Sequence, residues 1–228
     1  MILGRSLLLP GLRGDAFEFA GLSGLLPDAG VITLPVSTQD HLAGIVDAIL
    51  QNHRLELADL GETDSLIGAS FGGLVARALV AGGHTKARLV LVGTLPHPKP
   101  PLAAQQCALT GRLVPLLPAR LYRSLYARRA AREWAEDTDA TWPDRLPAPA
   151  IIGARLRAIA SWGLPPLPPG TVVAWGTEDR FVTWSAAQVR AWGGIPLPLR
   201  AGHRPHLRDP RGLLDALAHV LPSADHGV

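Results

Sequence analysis

A chain of 228 residues, 47% of them hydrophobic, supplies enough apolar side chains for one buried core, and its length asks for no second domain. Its formal charge of +3 comes almost wholly from arginine, with lysine only at Lys86 and Lys99, in a composition rich in Ala, Leu and Pro. That bias reads as a GC-rich bacterial genome, not as a basic surface for nucleic acid. The single cysteine, Cys107, excludes an intramolecular disulfide and a cysteine metal site, and is expected as a buried thiol in a reducing, cytoplasmic setting.

The chain opens with an apolar stretch, Ile2 to Leu9, that stops at Pro10. It is too short to span a bilayer and lacks the basic flank and cleavage pattern of a signal peptide. Further short apolar runs follow, and strands are predicted over 6–9, 30–36, 64–70, 87–94, 171–176 and 195–201. Helical spacing places helices between them over 16–26, 38–52, 71–81, 184–192 and 209–220. Alternation of this kind predicts an α/β fold: a mostly parallel, doubly wound sheet of about six strands with helices on both faces. Residues 95–169 break the rhythm with helical patches at 102–117, 119–136 and 150–162 joined by Pro-rich segments. We read them as a helical lid inserted into a single domain spanning 1–228, over the carboxyl ends of the strands where ligands bind. The polar tail 223–228 is expected to fray.

Gly68-Ala69-Ser70-Phe71-Gly72 is the chemically loaded segment, because it falls where an apolar strand turns into an amphipathic helix. The pattern is short enough to arise by chance, so its context carries the weight. A sharp turn there lifts the Ser70 hydroxyl clear of the backbone and aims the first amides of the helix, Phe71 among them, at the same space. The flanking glycines remove side chains that would collide as strand and helix close together.

A serine nucleophile needs a base, and the base needs an orienting group. His203, in the Gly202-His203-Arg204-Pro205 loop after the last predicted strand, is the candidate base, with His206 its nearest competitor. Asp179, after the strand that ends at Gly176, is the candidate acid in preference to Glu178. A second oxyanion amide besides that of Phe71 is expected from Leu12, in the turn Pro10-Gly11-Leu12-Arg13-Gly14.

Taken in order, Pro10-Gly11-Leu12, Ser70, Asp179 and His203 resemble the α/β-hydrolase superfamily over nearly the whole chain. The likeness is strongest at 66–73, at 175–182, similar to a G-x-x-D-x-x-V segment, and at 202–210, similar to G-H-x-P. It implies a Ser-His-Asp triad, no cofactor, and acyl transfer to water through an acyl-enzyme. Two departures stand out: Pro10 replaces the family's usual His before the oxyanion glycine, and the usual N-terminal hairpin is missing, which leaves six strands.

The residues themselves show no metal cluster and no phosphate loop. Trp142, Trp162 and Phe181, with Leu12 and Phe71, are candidates for an apolar acyl pocket, so the favoured substrate is a carboxylic ester or thioester with an uncharged acyl part. An acyltransferase or a non-catalytic binding relative would share the same residues. Arg120, Arg123, Arg128, Arg129 and Arg132 form a basic segment of the insertion that either faces water or holds an acidic acyl carrier.

Overall fold

The computed structural model describes residues 4–26, 28–95, 101–133, 146–163, 167–180 and 182–221. Six apolar runs become strands: β1 (Ser6–Leu9), β2 (Ala29–Val31), β3 (Ser65–Ala69), β4 (Arg88–Val92), β5 (Val172–Gly176) and β6 (Ile195–Leu199). They pair in the order β2-β1-β3-β4-β5-β6, and every pairing is parallel. The chain moves outward from β1 to β2 and then returns to β3 on the other side of β1. The carboxyl ends of β1 and β3 therefore flank the point where the winding reverses, the place where open α/β sheets bind ligands.

Both faces of the sheet are covered, which explains why the strands read as unbroken apolar runs. Leu7, Leu9, Leu66, Leu89, Leu91, Val173 and Trp175 join one buried cluster with α2 (Leu42–Ala58), α3 (Phe71–Ala81) and α6 (Pro149–Ser161). The alternate residues Leu8, Ile67, Val90, Val92, Val172 and Ala174 pack on the other face with α1 (Ala20–Ser23) and α9 (Pro210–Val220). Burying each Leu or Val side chain stabilises the fold by about 1.5–3 kcal/mol.

Several boundaries differ from those the sequence predicts. The second strand is three residues long, not the seven of 30–36, because its partner β1 ends at Pro10. Ile32 makes the last bond of that kind, to the Leu8 carbonyl at 2.9 Å, and Leu34 donates instead to Gly14. The first helix, expected over 16–26, is a 3-10 turn at Ala16–Phe19 followed by the short α1, in a segment weakened by Gly21 and Gly24. Helix α2 starts four residues later than expected and continues through a polar stretch to Ala58, where Leu57 is buried. A capping box of Ser185 and Gln188 starts α7 (Ala186–Ala191) and leaves Trp184 outside it. The last predicted helix, 209–220, forms as α9 with the short α8 (Pro205–Arg208) ahead of it, and the Asp209 side chain accepts from the Gly212 amide at 2.8 Å.

Between β4 and β5 run α4 (Pro101–Leu113), a 3-10 turn (Val114–Leu116), α5 (Ala119–Glu133) and α6. Their own small core of Tyr122, Leu146 and Ile152 meets the rest of the protein at Leu12 and Leu156. Cys107 is half-buried against the main core, where the sequence suggests full burial. No helix among the described residues is long and apolar enough to cross a membrane.

Candidate active site

Ser70 stands between β3 and α3 with φ 48° and ψ −113°, a conformation that L-residues adopt only under constraint. The constraint is visible in the neighbours. Its amide donates to the Val92 carbonyl at 2.8 Å and its carbonyl accepts from Gly73 at 3.1 Å. A Cβ on Gly68 would meet the backbone of Gly73 at 2.5 Å, and one on Gly72 would run into the Leu9 carbonyl, so the turn closes only with glycine at both places.

The chain after β6 brings His203 to that serine. Its Nε2 lies 3.2 Å from the Ser70 Oγ, and its Nδ1 lies 2.8 Å from the Asp179 Oδ2. A carboxylate only accepts, so Nδ1 carries the proton and Nε2 offers a lone pair to the Ser70 hydroxyl. The second Asp179 oxygen accepts from the Val182 amide at 3.2 Å, and the Asp179 side chain is fully buried. Glu178, the alternative acid, instead faces solvent 3.8 Å from Arg200 and Arg208.

Beside Ser70 lies the turn after β1. A Cβ on Gly11 would stand 3.4 Å from that of Ser70, so the two backbones are in close contact. The Gly11 amide is occupied by the Glu18 carboxylate at 2.7 Å, and the Gly11 carbonyl accepts from Gly14 at 3.0 Å. The Leu12 amide makes no hydrogen bond among the described residues, and the Phe71 amide, at the first position of α3, has no intrahelical acceptor. Leu12, in the turn beside Ser70, and Phe71, next in the chain after it, therefore each carry an amide with no acceptor among the described residues.

Glu18 escaped the sequence reading, as a lone carboxylate in an apolar stretch. It is buried 3.5 Å from His206, itself buried against the Phe19 ring. Burial alone would raise the Glu18 carboxyl, but the neighbouring His206 and the charges of Arg204 and Arg13 hold it down to about 2. Burial pushes the His206 imidazole below its ordinary value, with Glu18 opposing. His206 thus pairs with Glu18 behind the turn, while His203 is the imidazole at Ser70.

Of the proposed pocket aromatics, Trp142 and Phe181 lie outside the described residues. Trp162 is buried in the core with the Arg77 guanidinium 5.3 Å from its ring centroid. It lines a groove of about 410 Å³ with His41, Leu42, Val46 and Ala78, and none of Ser70, Asp179 or His203 borders that groove.

Residues 7–216 match the alpha/beta hydrolase family. The chain belongs to that family.

Solved structures of this hydrolase family share the fold at low identity. An enol-lactonase from Burkholderia xenovorans is 17% identical, covering 96% of this chain and 91% of its own, with a TM-score of 0.74. MenH from S. aureus is 17% identical over 97% and 96%, with a TM-score of 0.73. The type II thioesterase BorB of the borrelidin biosynthetic cluster is 20% identical over 96% and 93%, with a TM-score of 0.66. No curated protein sequence matches the chain.

Proposed function

We propose that this alpha/beta hydrolase cleaves a carboxylic ester or thioester through an acyl-enzyme, as a carboxylesterase-type serine hydrolase. The observation that carries this reading is the hydrogen-bonded chain from Ser70 through His203 to buried Asp179. As the Ser70 Oγ attacks the carbonyl carbon, its proton passes to His203 Nε2, and Asp179 stabilises the imidazolium that forms. The carbonyl oxygen becomes an oxyanion held by the Leu12 and Phe71 amides. Collapse expels the alcohol or thiol, which takes the proton from His203. Water, deprotonated by the same imidazole, then releases the acid and restores Ser70. No cofactor enters any of these steps.

Fold relatives named as an enol-lactonase and a thioesterase support an acyl group bonded to oxygen or sulfur as the substrate class. Residues 95–169 act as the lid over the site, inserted into one domain spanning 1–228. The lone Cys107 suits a cytoplasmic protein.

The test is hydrolysis of p-nitrophenyl esters and N-acetylcysteamine thioesters of graded chain length. Ser70→Ala should lose on the order of a millionfold in kcat and all labelling by a fluorophosphonate. Unchanged turnover in that variant removes Ser70 from the mechanism, and a wild-type protein that neither turns over nor labels is a binding protein on the same fold. Product partition with an added alcohol separates an acyltransferase from a hydrolase.

A second observation favours an acyl carrier as the form in which the substrate arrives. Residues 101–132 carry six arginines and no Asp or Glu. On α4, the 3-10 turn and α5, Leu109, Leu113, Leu116, Leu121 and Leu125 are exposed, with Arg112, Arg120 and Arg123 exposed beside them. Apolar and cationic groups interleaved this way complement an acidic protein surface. Reversing Arg120 and Arg123 to Glu should raise KM for a carrier-linked acyl thioester at least tenfold and leave a small soluble ester unaffected. Equal effects on both substrates refute carrier recognition.

A further inference from the structure

Arg155 projects from α6 into the interior and is 2% exposed. Its hydrogen-bond partners among the described residues are unusual for a buried cation, since they are all backbone carbonyls. Nη1 donates to Leu12 O at 2.6 Å and to Arg13 O at 2.8 Å, while Nη2 donates to Pro35 O at 3.0 Å and to Leu34 O at 3.4 Å. A planar guanidinium presents its donors in a rigid fork, so these bonds fix the directions of the carbonyls they hold. Burial lowers its pKa to about 10, which leaves it charged at neutral pH.

The carbonyls of Leu12 and Arg13 belong to the turn that flanks Ser70, and those of Leu34 and Pro35 to the segment after β2. Glu18 holds the Gly11 amide, Gly14 holds the Gly11 carbonyl, and Arg155 holds the carbonyls of Leu12 and Arg13. In a trans peptide the N-H and C=O point opposite ways, so fixing the Gly11 carbonyl also fixes the Leu12 N-H. Arg155 holds the next peptide through the Leu12 carbonyl and so opposes its flipping. The Leu12 side chain reinforces the link by packing into the cluster of Tyr122, Leu146 and Ile152.

We infer that Arg155 is a positioning residue of the oxyanion turn, a cation supplied by the helical insertion that braces the peptides after Leu12 so that the Leu12 amide, set by the bond between Gly11 and Gly14, stays aimed at the reacting carbonyl. The turn is therefore braced from two directions, by Glu18 and Gly14 at Gly11 and by the insertion at Leu12 and Arg13. Neutral side chains of similar length cannot hold four carbonyls, and lysine, with one compact ammonium, cannot reach both pairs in the same geometry.

This inference rests on reading Ser70 as the nucleophile, and the wild-type and Ser70→Ala measurements described above test that reading separately. The experiment here uses full-length Arg155→Met and Arg155→Lys, with circular dichroism and thermal melts to establish folding. For a p-nitrophenyl ester, kcat should fall about 10²-fold in Arg155→Met and at least tenfold in Arg155→Lys, with KM within twofold of wild type. Affinity for a trifluoromethyl ketone, which forms a tetrahedral oxyanion on Ser70, should fall by factors parallel to kcat, while affinity for the product carboxylic acid stays within twofold. Should Arg155→Met fail to fold, Arg155→Lys alone carries the same comparison. A folded variant that keeps kcat within threefold overturns the inference. So does one that loses kcat but binds the ketone as wild type does.

Discussion

The carbonyl oxygen of His203 lies against Gly93, in the space that a Cβ would occupy, so the loop carrying the imidazole passes directly over the end of β4. Two strands, β4 and β5, separate β6 from β3. To reach Ser70 the loop must cross both, and it crosses each at a glycine: Gly176, against the carbonyls of Ala201 and Gly202, then Gly93. Gly93 also has φ +56°, which compounds the demand for a residue without a Cβ.

Gly93→Ala should therefore cost about 1–2 kcal/mol in backbone strain alone, and displacing the imidazole should lower kcat by about 10²-fold. The control is Gly83→Ala, which has φ +72° but no atom within 4 Å of the added Cβ. It should lower the melting temperature by a similar strain term and leave kcat unchanged. Thermal melts and ester kinetics on the two variants separate strain from displacement.

Strain at Ser70 itself can be read by comparing two inactive variants. Glycine tolerates φ 48° and alanine does not, so Ser70→Gly should be more stable than Ser70→Ala by about 1 kcal/mol, despite glycine's larger chain entropy when unfolded. Urea denaturation of both variants measures the difference, and equal stabilities mean that the elbow is unstrained.

Arg77 is a buried charge with no carboxylate partner among the described residues. It is 1% exposed on α3, its Nε and Nη2 make no hydrogen bond, and burial pushes its guanidinium down to about 10. The guanidinium lies over the face of Trp162. Arg77→Met keeps similar volume and removes the desolvated charge, so it should stabilise the protein by about 1–3 kcal/mol. The melting temperature should then rise by about 2–4 °C per kcal/mol for a domain of this size. A fall in melting temperature shows instead that the contact with Trp162 outweighs desolvation.

The buried Glu18 makes stability depend on acid. Its folded value of about 2 lies below the ordinary 4.5, so its contribution is complete above pH 4.5 and is lost as pH falls toward 2. The difference corresponds to roughly 3 kcal/mol. His206 acts in the same direction, since an imidazole whose value is lowered by burial loses stability as pH falls below 6.5. In urea titrations from pH 7 to pH 2, Glu18→Gln should be less stable at neutral pH and show a flatter acid limb by one proton. An unchanged slope assigns the acid sensitivity to another group.

Much of this protein was legible in its sequence because the decisive features are local. Six apolar runs predict six strands, since a strand buried on both faces must be apolar throughout. Gly68, Ser70 and Gly72 announce a strand-to-helix turn because the steric demands of that turn lie within five residues. Asp179 and His203 stand out as polar residues shortly after apolar runs, and the structure brings His203 to Ser70 and Asp179 to His203. The short β2 was not legible, because its length depends on where β1 stops.

Other residues acquired their meaning only from packing. Glu18 and Arg155 look like ordinary members of helical segments, yet Glu18 grips the Gly11 amide, and Arg155 grips the carbonyls of Arg13 and of Leu12, the latter 143 residues away. Trp162 is expected at an acyl pocket; it packs in the core beside Arg77 and lines a groove that Ser70 does not border. The sequence by itself determined which elements form and which residues end them, because backbone sterics and apolar periodicity act over a few residues. Only the tertiary structure decided what each buried charge would hold, because a charge removed from water must take whatever partners the folded chain brings within about 3 Å.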